Sequence, residues 1–244
     1  MMKLRRYWLA LVLAWIASCA WAQIGERRSV LSIGGNAGLL FNSVDFDPTI
    51  RQTQHMGAGV GLTLRYTCEK YFTTVCALQV ELNYAQLGWK EDILNAYSQE
   101  LPDTYSRNLS YVQLPLLARL SWGRERGGLA FFILLGPQLG YYISGSEDRS
   151  AQWTLNDEGN PDRPNNVYQQ YTMEPDNKFE YGLTGGLGLE FSTRKGQHFI
   201  VDGRYYYGLS DIYKNGKKDV FARSAHMTIA ARFTYLFDLY NKEK

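Results

Sequence analysis

Histidine and cysteine are scarce in this 244-residue chain, three of each. His55, His198 and His226 lack the close spacing of zinc ligands, so the sequence implies no metal centre. It carries no recognisable catalytic motif either, and no cofactor is expected. After residue 22 there is no run of 18 or more apolar residues, which excludes a transmembrane helix. If the chain crosses a membrane, it does so with strands.

The amino end is informative. Lys3, Arg5 and Arg6 precede the apolar run Trp8 to Cys19, and Ala20-Trp21-Ala22 offers an A-x-A cleavage site. Residues 1–22 therefore read as a secretory signal peptide and 23–244 as the mature domain. A competing reading is that Ile16-Ala17-Ser18-Cys19 resembles a lipobox, in which Cys19 would be acylated. Without the three basic residues the formal charge falls from +2 to −1 (2 − 3), so charge does not argue for a nucleic-acid partner.

What the mature chain has in abundance is alternation. In Tyr111 to Trp122, Val112, Leu114, Leu116, Ala118, Leu120 and Trp122 share one parity. Tyr111, Gln113, Pro115, Arg119 and Ser121 share the other. Such a segment is a strand with two unlike faces. Eight of these segments occur, near 30–41, 57–67, 76–88, 109–122, 128–142, 179–193, 198–209 and 224–238. Long connections (42–56, 89–108, 143–178, 210–223) alternate with short ones (68–75, 123–127, 194–197). The pattern predicts an all-β fold, an eight-stranded antiparallel up-and-down transmembrane β-barrel of the outer-membrane kind.

A lipocalin-like barrel would share the period but turn its apolar face inward. Two features favour the membrane. Glycines crowd the polar parity, as a narrow interior requires. Aromatics also gather at strand ends: Tyr66, Trp122, Phe199, Tyr235 and Phe237 toward the short turns, and Tyr84, Trp89, Tyr141, Tyr181 and Tyr207 toward the long loops. Arg119 then faces the lumen while the Leu and Val parity faces lipid. Pro115 implies a lost ladder bond or a bulge. The fifth segment is less regular, with Phe132 and Leu134 on the inner parity.

Three stretches carry a family resemblance: Leu78-Gln79-Val80-Glu81-Leu82-Asn83-Tyr84, Tyr111-Val112-Gln113-Leu114-Pro115-Leu116-Leu117 and Leu135-Gly136-Pro137-Gln138-Leu139-Gly140. In this order they resemble the third, fourth and fifth strands of the PorT-like outer-membrane β-barrel proteins. The resemblance implies an eight-stranded barrel in the cell outer membrane. It also implies a role beside the components of the type IX secretion system.

Inside such a barrel Arg65, Glu81, Arg119, Glu190, Asp202, Arg204 and Arg232 form a mixed-sign set. It reads as a paired polar filling of the lumen in preference to an ion path. If Cys68 and Cys76 lie opposite each other across their short turn, they can form a disulfide in an oxidising periplasm. The same register sets Glu81 diagonal to Arg65, within ion-pairing reach. Asp211, Ser224 and His226 assemble a triad only on paper. The segment Ile143 to Lys178 holds Glu147, Asp148, Asp157, Glu158, Asp162, Glu174 and Asp176 against Arg149, Arg163 and Lys178, a net of −4 (3 − 7). Its stretch Asn156 to Asp162 lacks the spacing of an EF-hand, so a solvated acidic loop is the reading. The expected activity is display of four outer loops to a protein or glycan partner, from a scaffold surrounded by outer-membrane lipid. A secretion accessory and a narrow solute channel are the rivals.

Overall fold

The computed structural model describes residues 26–95, 99–163, 167–213 and 221–242. The expected signal peptide and Cys19 lie outside the described residues. Eight long strands run β1 (Glu26–Asp47), β3 (His55–Tyr71), β4 (Thr74–Glu91), β5 (Tyr105–Gly123), β6 (Gly128–Arg149), β7 (Phe179–Ser192), β8 (Gln197–Gly208) and β9 (Arg223–Lys242). A two-residue strand, β2 (Gln52–Thr53), pairs with the end of β4. Each long strand pairs antiparallel with the next, and β1 pairs with β9, so the ring β1-β3-β4-β5-β6-β7-β8-β9 closes on itself. Closure leaves the eight long strands no free edge. The expected segments match in number and order, and four of them, β1, β4, β5 and β6, run three or more residues further toward the loop side.

Alternation sorts the faces as expected. Leu62 on β3, Leu82 on β4, Leu187 on β7 and Phe233 on β9 are half or more exposed on the outer wall. Thr63, Glu81, Arg119 and Thr234, on the opposite parity, are buried. Burial of charge with exposure of leucine is the reverse of a protein bathed in water. It fits a barrel whose outer solvent is lipid.

Glycine makes the lumen passable for long side chains. A Cβ at Gly186 would meet Arg204 Cγ at 2.9 Å, and one at Gly188 would meet Phe132 Cζ at 2.6 Å. Phe132 and Leu134, the two residues that broke the pattern of β6, point inward and join Leu117, Ile200 and Leu236 in a small apolar cluster. Pro115 sits where the ladders thin. Pairing of β4 with β5 runs to Val80↔Leu116 and resumes at Asn83↔Gln113 in the same register. A residue without an N–H thus costs ladder bonds without slipping the strands.

The predicted register of β3 with β4 holds from Gly59↔Ala85 to Thr67↔Ala77, including Thr63↔Glu81. Beyond it a bulge shifts the pairing to Glu69↔Cys76. Cys68 falls in the bulge and so does not oppose Cys76. Both thiols are free, which corrects the expected disulfide. Trp89 is a second correction. It has the inward parity of Ala85 and Leu87 and is fully buried, so it belongs to the interior and not to the outer aromatic row.

Candidate functional site

Inside the barrel the seven expected lumen residues are all buried, and they separate into two networks. In the first, Glu81 on β4 is held by Arg204 on β8 at 2.9 Å and Arg232 on β9 at 3.3 Å. Arg204 also grips Asp202. Asn83 donates to Glu81 Oε2 at 3.0 Å, and Arg232 donates to Asn36. Two arginines meet two carboxylates, so this network is electrically balanced.

The second network lies closer to the short turns and centres on Glu190 of β7. Its Oε2 accepts from Arg65 of β3 at 2.8 Å and from Arg119 of β5. The guanidinium carbon of Arg119 stands 3.6 Å from the Phe132 ring centre. His198 places Nδ1 2.6 Å from Glu190 Oε1 and Nε2 3.0 Å from Asp238, which also accepts from Ser32 at 2.6 Å. The expected diagonal ion pair between Arg65 and Glu81 is therefore not formed. Arg65 reaches across the lumen to the opposite wall instead, and Glu81 does likewise toward Arg204. Each charge thus finds its partner on the far wall of the lumen, where Glu190 also receives Arg119.

Above these networks the outer mouth is closed by an apolar and aromatic cluster. Phe46, Trp89, Tyr105, Tyr111, Tyr171, Tyr213 and Phe221 are its buried aromatic members. Trp153 stacks on Tyr171 with centroids 4.7 Å apart and planes 19° apart. A short helical turn, Gln169–Tyr171, brings Tyr171 into the mouth, where its hydroxyl donates to Glu91 at 2.7 Å. Arg163 ties the cap to the β4–β5 connection, bonding Asp103 at 3.0 Å and lying 4.9 Å over Trp153. Burial holds the Tyr171 phenol well above the ordinary tyrosine range, and the Glu91 carboxylate adds to the effect. Sequence reasoning treated residues 143–178 as solvated and missed this cap. Trp153 and Tyr171, aromatics within an otherwise acidic stretch, were the available signal.

The remaining candidates resolve individually. Ser224 N donates to Asp211 at 2.7 Å, but His226 turns to Glu180 at 3.2 Å, so the paper triad is not aligned. His55 bonds Asn108 at 2.6 Å. In the stretch considered for calcium, Asn156 Oδ1 accepts from the backbone of Glu158 and Asn160, each at 3.0 Å. That is an Asn-closed turn. The outer wall carries Tyr84, Tyr141 and Tyr181 exposed toward the loops, and Tyr66, Phe199 and Phe237 exposed toward the turns. Two aromatic rows thus bracket the lipid-facing band.

Comparison with known proteins agrees with this architecture. A search of curated proteins finds no match. Among solved structures, Ail, the attachment invasion locus protein of Yersinia pestis, is 16% identical with a TM-score of 0.36, covering 87% of this chain and 99% of its own. OprG from Pseudomonas aeruginosa is 12% identical, TM-score 0.41, over 88% and 98%. The outer membrane enzyme PagL is 10% identical, TM-score 0.43, over 82% and 97%. The family model described as outer membrane protein beta-barrel domain matches residues 21–214. With that match and a closed, lipid-faced ring, the chain belongs to the outer membrane protein beta-barrel domain family and resides in the cell outer membrane.

Proposed function

We propose that the protein is a non-enzymatic scaffold that displays its outer loops to a protein or glycan partner, its barrel serving to hold them rigidly in lipid. The observation that carries this reading is the cap. Trp153 and Tyr171 stack beneath the loop surface and Arg163 anchors to Asp103, so the loop is built as a supported platform. Below it, ion pairs cross the lumen where an open pore would need water.

The platform is acidic. Glu147, Asp148, Asp157, Glu158, Glu174 and Asp176 are all exposed at or above the mouth. Such a surface favours a partner with complementary basic groups. The PorT-like affiliation and a secretion role acting through the periplasmic turns are the second reading.

Photo-crosslinking in intact cells separates the two. A crosslinker at Glu158 samples the platform, and one at Phe72 samples the exposed tip of the β3–β4 turn. Capture of a defined partner from position 158 supports loop display. Capture of secretion components from position 72 alone replaces it with the accessory role.

A further inference from the structure

The lower network is not electrically balanced. Arg65 and Arg119 share one carboxylate oxygen of Glu190, and His198 has a carboxylate facing each ring nitrogen. Nδ1 also has the Ser192 hydroxyl at 2.9 Å; with a proton on each nitrogen both carboxylate contacts are satisfied, and three cations then meet the two anions Glu190 and Asp238. The surplus is one positive charge (3 − 2), in a lumen where an unbalanced charge is costly. Donors are left over as well: Arg119 Nη1 and Arg65 Nε are buried with no hydrogen-bond partner among the described residues.

These residues border a cavity of about 80 Å³ at the turn-side mouth, between the ion pairs and the periplasm. One water needs roughly 10–15 Å³ on this scale, so a tetrahedral ion fits. Its rim adds Arg28, Arg124 and Arg126 against Glu125, deepening the positive field.

We propose that this mouth binds a single oxyanion group, phosphate in type, with Arg119 and Arg65 as its buried donors and Arg124 at its entrance. Guanidinium groups suit oxyanions because their N–H donors diverge in a plane that matches two oxygens at once. The anion would supply the missing negative charge of the Glu190 network. It can come from dissolved phosphate or from a lipid headgroup in the inner leaflet.

The test is calorimetric titration of the folded barrel in zwitterionic detergent, with inorganic phosphate and separately with short-chain phosphatidylglycerol. Saturable binding of one anion per chain is expected, weakened about tenfold or more in Arg119→Gln and to a lesser degree in Arg124→Ala. Arg119 is buried, so Arg119→Gln is read only on material that shows a folded gel shift. Arg124 is exposed on the rim, and Arg124→Ala carries the test independently. Arg149→Ala, at the opposite end of the barrel, should leave binding unchanged. Binding of free phosphate assigns the site to a dissolved anion, and binding of the lipid alone assigns it to a headgroup. Absence of saturable binding with either probe, or binding indifferent to both rim and lumen variants, overturns the proposal.

Discussion

Arg65 and Glu190 form an ion pair of 2.8 Å between β3 and β7, strands on opposite sides of the eight-membered ring. Together with Arg204 and Glu81, between β8 and β4, the pair braces the barrel across its bore.

Because Glu190 is buried and serves two guanidiniums, Glu190→Ala should destabilise the folded barrel by ~3–5 kcal/mol, leaving cations unpaired in the lumen. Adding Arg65→Ala should recover part of the loss. A double-mutant cycle on unfolding in detergent is expected to show coupling for Arg65 with Glu190 and none for Arg65 with Glu81.

The outer wall makes a separate prediction. Leu116 is 40% exposed on the lipid-facing parity of β5. Leu116→Arg should cost ~2–4 kcal/mol near the bilayer midplane, whereas Ser121→Arg, on the lumen parity by the turn-side cavity, should be far milder. Yield of heat-modifiable barrel after membrane assembly ranks the two, and equal yields would mean the faces are reversed.

The cap should fail independently of the barrel. Trp153→Ala removes the stacking partner of Tyr171 and part of the seat of Arg163. The expected result is faster proteolysis within residues 150–178 at an unchanged barrel gel shift.

Alkaline pH should do the same. The folded Tyr171 phenol titrates above its unfolded value of about 10. Its contribution is therefore complete below pH ~10 and lost as pH rises beyond it. Proteolysis of the cap should accelerate in that window, and Tyr171→Phe should blunt the acceleration.

Much of this architecture is legible in period-two alternation, since a closed barrel imposes inside and outside on every residue of every strand. That is why Glu81, Arg119 and Arg232 could be placed in the lumen without coordinates. Partners were another matter. The diagonal offered for Arg65 came from a correct register, yet Arg65 is long enough to reach β7, and strand pattern says nothing about strands on the far wall. Cys68 illustrates the second limit, because a bulge at a turn leaves no mark on hydropathy. Trp153 and Tyr171 illustrate the third: a loop that folds back on a mouth has no period to read.

A filled and capped lumen leaves the proposed function to the loops. Single-channel recording of the purified wild-type barrel in a planar bilayer tests it most directly. No steady conductance steps are expected at neutral pH, because ion pairs cross the bore and an aromatic cluster covers its outer mouth. Stable, reproducible steps that Arg65→Ala or Glu81→Ala alters without loss of the folded form would contradict it and make the charged lumen a conduction path.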